Sequence, residues 1–170
     1  MAQKIPISNA RICFRNIAGK PTKFNSKGGV RDFAIVLDNY EAVEQLINMG
    51  LPVKYFAKKN PEDPDVPFLK VKVNFRYNDE GTELLSPHIY IINSGKKVLI
   101  TPQTAEVVDQ ADISYCDIII KTYPWEVNGN TGVAAYLDKM YVNIAEDEFE
   151  SKYEMYNDPD EDNAEPLPFE

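Results

Sequence analysis

Lysine, arginine and aromatic side chains recur together in three segments of the first 145 residues. Ammonium and guanidinium groups neutralise phosphates, and exposed rings stack on bases, so this combination is typical of a groove for single-stranded nucleic acid. Such a groove contacts the backbone and the faces of the bases, which gives little sequence preference. The candidate nucleic-acid-binding residues are Arg15, Lys20, Lys23, Phe24, Lys27, Arg31, Lys70, Lys72, Arg76, Lys121, Tyr123, Trp125, Tyr136, Lys139 and Tyr141.

Each of these signals also has a purely structural interpretation. Alternating lysines on a strand suit a solvated face, or they protect a sheet edge from aggregation. Trp125 follows a proline, and a lone tryptophan in that position also suits hairpin packing. The glycine-rich loop at 18–30 lacks the Gly-x-x-x-x-Gly-Lys-[Ser/Thr] pattern of a phosphate-binding loop and suits an ordinary flexible loop. The joint occurrence of basic stripes and aromatic strands favours the binding interpretation.

Catalytic chemistry finds little support in the sequence. His88 is the only histidine, and Cys13 and Cys116 lie too far apart for a Cys-x-x-Cys metal motif, so we interpret both cysteines as buried free thiols. No Gly-x-Ser-x-Gly or His-Glu-x-x-His motif is present. Asp63 and Asp65 could bind Mg²⁺, but they lie in a proline-rich loop where acids are ordinarily solvated. We expect no catalytic residue, no metal site and no cofactor, and we predict that the protein is not an enzyme.

The acidic residues are concentrated at one end of the chain. The segment 144–170 holds eleven acidic residues and one lysine, a net charge of −10, so the remainder of this chain of net charge −9 carries +1. Charge asymmetry of this kind is typical of proteins that act on nucleic acids. A segment this acidic cannot bury enough apolar surface to offset its ordering entropy. We therefore predict one folded domain over 1–145 and a disordered acidic tail over 146–170.

The tail ends in Glu165-Pro166-Leu167-Pro168-Phe169-Glu170, which places two apolar side chains after the acidic run. This ending resembles the C-terminus of bacterial single-stranded-DNA-binding proteins, in which Asp-rich sequence precedes an Ile-Pro-Phe-like tip. Glu170 departs from that pattern, because the aromatic residue is normally last. The resemblance implies a tail that recruits replication or recombination proteins, through Asp158, Asp160, Glu161, Asp162, Leu167 and Phe169.

Hydrophobic periodicity predicts a mainly β domain. A helix is expected over 40–49, capped by Asp38 or Asn39, and 104–110 is expected to form a short helix or turn. Asn128-Gly129-Asn130 predicts a hairpin between the last two strands. The predicted strands cover 10–17, 32–38, 53–57, 68–77, 88–92, 96–100, 116–127 and 132–142.

Strict alternation assigns faces to two of these strands. In 68–77 the apolar residues share one face and Lys70, Lys72 and Arg76 share the other, which predicts a single half-buried strand. In 132–142 the same alternation places Tyr136 and Tyr141 on opposite faces, so we expect only one of these two tyrosines to be exposed.

Strands in this number with one inserted helix favour an antiparallel β-barrel of the OB-fold type, with a sandwich as the alternative. Together with the tail, this layout resembles phage-encoded single-stranded-DNA-binding proteins, which work in replication, recombination and repair. The resemblance implies that single-stranded DNA is the ligand, that the tail competes for the groove, and that the protein acts in the cytoplasm of a bacterial host. A homodimer is among the expected assemblies. The alternative function is an inhibitor whose acidic tail mimics nucleic acid.

No long apolar segment interrupts this pattern. The N-terminus lacks the apolar core of a signal peptide, and no stretch approaches the ~20 apolar residues of a membrane span. We therefore expect an intracellular protein with no membrane partner.

Overall fold

The computed structural model describes residues 3–23 and 26–145. Within these ranges the chain forms ten strands and two short helices. In chain order they are β1 (Lys4–Asn16), β2 (Asp32–Val36), α1 (Tyr40–Asn48), β3 (Val53–Tyr55), β4 (Pro67–Lys72), β5 (Arg76–Tyr77), β6 (Leu84–Ser86), β7 (His88–Asn93), β8 (Lys96–Ile100), α2 (Glu106–Gln110), β9 (Ile113–Val127) and β10 (Asn130–Ile144).

Five of the strands close into a barrel. The main sheet has the order β3-β4-β2-β1-β9-β10-β7-β8, and β4 also pairs with β10. This extra pairing is parallel, joins Lys72 to Tyr136, and closes the ring β1-β2-β4-β10-β9. A five-stranded barrel of this kind is the architecture of the OB-fold, so the predicted mainly β, OB-fold-like class is confirmed.

The barrel is filled by alternate residues of its strands. Phe33 and Ile35 of β2 and Leu69 and Val71 of β4 are fully buried, and β9 and β10 contribute further aliphatic side chains to the same core. Because successive side chains point to opposite faces of a strand, this pattern leaves Lys70 and its neighbours on the outer surface. The hydrophobic core therefore determines which cations face solvent.

Two strands differ most from their predicted extent. The strand predicted over 68–77 ends as β4 at Lys72, and Arg76 begins β5, which pairs with β6 in a separate small sheet. β1 begins at Lys4, several residues earlier than predicted. A register shift between Ile7 and Ala10, where Asn9 has a φ of 53°, breaks the alternation that would have revealed this first part of β1.

The prediction that Tyr136 and Tyr141 lie on opposite faces is wrong. The register with β9 shifts between Leu137 and Lys139, so Asp138 is an extra residue in a β-bulge. The bulge reverses the alternation, and Met140 is buried on the same side as Leu137. Both tyrosines therefore lie on the outer face of the sheet, where each is half-exposed.

Helix α1 packs beside the barrel and begins as the sequence predicts. Val43 and Leu46 are buried against the core, and Gly50, with a φ of 87°, follows the end of the helix. The two candidate caps are distinguished, because the Asn39 side chain accepts a hydrogen bond from the backbone N–H of Glu41 at 3.0 Å. α2 forms within the segment where a short helix or turn was expected.

This cap gives a test of the fold. Replacement Asn39→Ala should lower the free energy of unfolding by about 1 kcal/mol, because an N–H of the first helical turn loses its acceptor. The neighbouring Asp38→Ala is the matched control and should change it by less than about 0.5 kcal/mol. Urea denaturation of both variants measures the two values, and equal losses would contradict the assigned cap.

Candidate nucleic-acid interface

A surface cleft lies between the outer face of the β9–β10 hairpin and the segment that follows β4. Its volume is about 340 Å³. The sequence-predicted candidates Arg76, Lys121, Tyr123 and Tyr136 meet in it, although they come from three different strands. The lining residues are Asn74, Arg76, Ser86, Lys121, Tyr123, Tyr136 and Leu137. We refer to this site as the cleft.

Small residues face two exposed aromatic side chains of β9 across the hairpin. Tyr123 lies opposite Ala134 and Trp125 lies opposite Gly132 in the antiparallel register. A Cβ atom at Gly132 would lie 2.5 Å from the indole ring, so only glycine allows the ring to rest on the β10 backbone. Trp125 exposes 44% of its surface to solvent.

The hairpin itself follows the predicted turn. Val127 pairs with Asn130, and the two residues between them, Asn128 and Gly129, have φ values of 52° and 81°. Positive φ at both central positions is the requirement of a two-residue type I′ turn, which Asn-Gly meets. This tight turn keeps the two long strands in register and so fixes the positions of Tyr123 and Trp125.

Tyr136 lies between two cationic side chains at the centre of the cleft. Lys72 of β4 pairs with it on one side, with the Nζ atom 5.8 Å from the ring centroid, and Lys121 of β9 is its partner on the other side. The Tyr123 ring meets the Tyr136 ring edge to face, with centroids 5.3 Å apart. Cations and ring faces therefore alternate within a few ångströms, as a strand of phosphates and bases requires.

An acidic residue in the β10 bulge forms ion pairs with two neighbouring lysines. Asp138 Oδ1 lies 2.8 Å from the Nζ of Lys121, and Oδ2 lies 3.3 Å from the Nζ of Lys4. Burial would raise the pKa of the Asp138 carboxyl, but hydrogen bonds and charge from Lys121 and then Lys4 hold the pKa below its ordinary value. Lys4 was missed in the sequence because its strand could not be predicted.

Several of the predicted cations at the end of β1 and in the β1–β2 loop bind the protein itself. Arg15 donates to the carbonyls of Val108 and Ala111 at 2.8 Å, and Lys20 forms an ion pair with Glu106. Lys23 and Lys27 are exposed. Phe24 and the tail candidates Asp158, Asp160, Glu161, Asp162, Leu167 and Phe169 lie outside the described residues.

Arg31 joins this loop to the cleft. Its guanidinium donates to the carbonyl of Ile17 at 2.7 Å and lies 5.3 Å from the ring centroid of Phe75. Phe75 stands between Asn74 and Arg76, which both line the cleft. The base of the β1–β2 loop is thereby fixed beside the cleft, and the exposed lysines of the loop extend from this anchored base.

Lys139 and Tyr141 lie in a second cluster on the outer face, beyond the bulge. The Tyr141 ring stacks on Tyr90 of β7 with centroids 5.4 Å apart, and Lys97 lies 4.6 Å from the Tyr90 centroid. Lys139 lies 5.5 Å from the Tyr141 centroid, and a hydrogen bond with Tyr141 raises the pKa of Lys139. Sequence reasoning missed Tyr90, although its alternation with the buried Ile89 and Ile91 was a usable signal.

A closed five-stranded barrel with a cleft of cations and aromatic rings defines the class of single-stranded nucleic-acid-binding barrels. Residues 1–166 match the family model described as "Putative phage ssDNA-binding domain". The chain therefore belongs to this phage single-stranded-DNA-binding family, as the resemblance of the sequence predicted. Membership in a family of single-stranded-DNA-binding domains argues against the alternative of an inhibitor that mimics nucleic acid.

Several solved structures match the chain at low sequence identity. A C-terminal truncation of the single-stranded DNA-binding protein from bacteriophage Enc34 matches with a TM-score of 0.50 and 12% identity, covering 85% of this chain and 87% of that one. The untruncated Enc34 protein matches with a TM-score of 0.50 and 13% identity over 91% and 90% of the chains. Bacteriophage T7 gp2.5, a single-stranded DNA-binding protein, matches with a TM-score of 0.48 and 13% identity over 98% and 100%. No protein of the curated set matches the chain.

Neither α1 nor α2 has the length and the apolar character that a helix needs to cross a lipid bilayer.

The ion pairs of Asp138 predict a pH-dependent stability. Because the pKa of Asp138 is lowered in the folded protein, its contribution is fully present above the unfolded-state value of about 3.9 and is lost as the pH falls through the lower folded-state value. Asp138→Asn should therefore be less stable than wild type at pH 7, and the difference should shrink as the pH is lowered below about 4. Urea denaturation across this range measures it, with Asp79→Asn as an exposed control. A difference that is constant with pH would contradict the assignment.

Proposed function

We propose that this protein binds single-stranded DNA without strong sequence preference during phage replication, recombination or repair, and that it catalyses no reaction and needs no cofactor. The observation that carries the proposal is the cleft, where Arg76 and Lys121 line one surface with the rings of Tyr123 and Tyr136, and Lys72 lies beside Tyr136. Membership in the phage single-stranded-DNA-binding family supports the same ligand. The site of action would be the cytoplasm of the bacterial host.

Binding would combine two contributions. The cations neutralise phosphates and release counterions, which makes affinity fall with salt. Bases stack on the rings, each stacked base contributing about 1–3 kcal/mol. Trp125 adjoins Tyr123 along the same face of β9 and offers a further ring to the next base. Every base has a π-face, so this arrangement tolerates any sequence.

The remaining predicted candidates would extend this site. Lys23 and Lys27 are exposed in the loop whose base Arg31 fixes beside the cleft, so they could follow the phosphates on that side. Lys139 and Tyr141 lie beyond the bulge on the same outer face as Tyr136 and could meet the strand on the other side. Arg15 and Lys20 would act indirectly, because they hold α2 and the loop in place.

We also propose that the chain divides at about residue 145 into a DNA-binding domain and an acidic tail that regulates it. The tail has a net charge of −10, whereas the rest of the chain carries +1, and it is covalently joined to the domain that bears the cationic cleft. A flexible tether gives an effective concentration of roughly millimolar, enough for a weak polyanion to occupy a basic groove. Bound DNA would displace the tail and free Leu167 and Phe169 for replication or recombination proteins.

The cleft is tested by its salt dependence. Arg76→Gln should weaken binding to oligo-dT and reduce the magnitude of the log–log salt slope by about 0.7, because one phosphate contact is lost. Lys59→Gln, an exposed lysine in the loop between β3 and β4, is the matched control and should leave the slope unchanged. Fluorescence of Trp125, the only tryptophan, measures both and should be quenched by the oligonucleotide. Identical slopes for the two variants would exclude Arg76 from the interface.

The role of the tail is tested by its removal. Deletion of 157–170 should tighten binding to oligo-dT at low salt, because the cleft loses its intramolecular competitor. A tail of the same length with Asn and Gln in place of Asp and Glu should behave like the deletion, whereas a shuffled tail of unchanged charge should behave like wild type. Direct titration measures all three, and unchanged or weaker binding by the deletion would contradict competition.

A further inference from the structure

Three phenylalanines form a partly exposed cluster on a different part of the barrel. Phe68 lies on the outer face of β4, and its ring centroid is 4.6 Å from that of Phe56 and 5.8 Å from that of Phe14. The Phe14 and Phe56 centroids are 5.5 Å apart. Phe56 and Phe68 are half-buried, but Phe14 keeps 58% of its surface in solvent. We refer to these three residues as the phenylalanine cluster.

The backbone at Phe14 is unfavourable for the residue it carries. Phe14 has a φ of 50°, in the left-handed region that bulky side chains rarely adopt, and it lies where the register of β1 with β2 shifts between Cys13 and Asn16. Burial does not explain this conformation, because the ring is more than half exposed. Strained conformations that persist without a packing reason are concentrated at binding sites.

The phenylalanine cluster is continuous with the cleft. Phe68, Lys70 and Lys72 are alternate residues on the outer face of β4, so the cluster lies about 13 Å along the strand from the cation that pairs with Tyr136. The strand neighbours of Phe68 are Val36 of β2 and Lys54 of β3.

The charges around the cluster favour an anionic ligand. Arg11 lies opposite Val36 in the register of β1 with β2 and is exposed, so it adds a cation to that of Lys54 on the rim. Two acids on neighbouring segments are engaged with lysines, since Asp32 lies 3.6 Å from Lys70 and Asp65 lies 2.5 Å from Lys58. An exposed aromatic surface with a cationic rim can bind a ligand that combines negatively charged phosphates with planar bases.

We propose that the phenylalanine cluster is a second base-stacking platform, on which Phe14 receives a base of the same DNA strand that occupies the cleft. This inference rests on the proposed function, since it assigns the strand a path from the cleft over Lys72 and Lys70 to Phe14. The left-handed backbone at residue 14 directs the ring away from the core to the outer surface of the sheet, where a base can stack on it.

The strain at Phe14 allows a sharp experiment. Asparagine adopts positive φ far more readily than phenylalanine, so Phe14→Asn removes the ring while it suits the backbone. The melting temperature should therefore stay close to that of wild type. Affinity for a dT oligonucleotide of about 16 nucleotides should fall about tenfold, whereas affinity for one of about 4 nucleotides, which the cleft alone can hold, should not change.

Two further variants control this test. Phe14→Tyr keeps an aromatic ring and should bind the long oligonucleotide as wild type does. Val98→Asn removes a side chain of the same exposure, 57%, from β8 at the other end of the sheet order and should leave both affinities unchanged.

The outcomes separate this inference from the proposed function. Wild-type affinity of Phe14→Asn for the long oligonucleotide would overturn the platform and leave the cleft intact as the binding site, with the cluster then free to receive a protein. An equal loss on both oligonucleotides would overturn it as a separate platform. If wild type itself binds neither oligonucleotide at low salt, the proposed function fails.

Discussion

The parallel pairing of Lys72 with Tyr136 is the contact on which the rest of the structure depends. It joins β4 to β10 and turns the curved sheet into a five-stranded barrel, with β3 and β8 left as the end strands of the sheet. It also brings the cations of β4 beside the aromatic residues of β9 and β10, although Lys72 and Tyr136 are 64 positions apart in the chain. Barrel closure and assembly of the cleft are therefore one structural event, and a change that opens the barrel would also dismantle the cleft.

The β-bulge at Asp138 shapes the same surface in two ways. By adding one residue to β10 it turns Tyr141 to the face that already carries Tyr136, so rings continue along the outside of the sheet. Its own carboxylate then binds Lys4 and Lys121, which positions their ammonium groups but also neutralises part of their charge. The bulge therefore places the aromatic residues of β10 on one face, and its carboxylate fixes the positions of the neighbouring cations.

The sequence predicted those features that depend on local pattern. Alternation identified β4 and assigned Lys70 and Lys72 to its outer face, and Asn128-Gly129 identified the hairpin that fixes Tyr123. It failed wherever one residue interrupts the period, because a shift of one position exchanges the two faces of a strand. The irregularity near Asn9 concealed Lys4, and the bulge at Asp138 gave the wrong face to Tyr141. The phenylalanine cluster could not be predicted from the sequence either. Its members come from segments that are distant in sequence and meet only when β1, β4 and the residue after β3 come together.

A chain with a net charge of −9 can still present a surface that attracts a polyanion, because charges act locally in salt. At physiological ionic strength the screening length is about 8 Å, so exposed acids farther than this from the cleft hardly affect a phosphate bound there. Within the cleft the charged lining residues, Arg76 and Lys121, are both cations, and Asp138, which pairs with Lys121, also pairs with Lys4. The local arrangement of charges therefore decides the electrostatic character of the site, and the total charge of the chain does not.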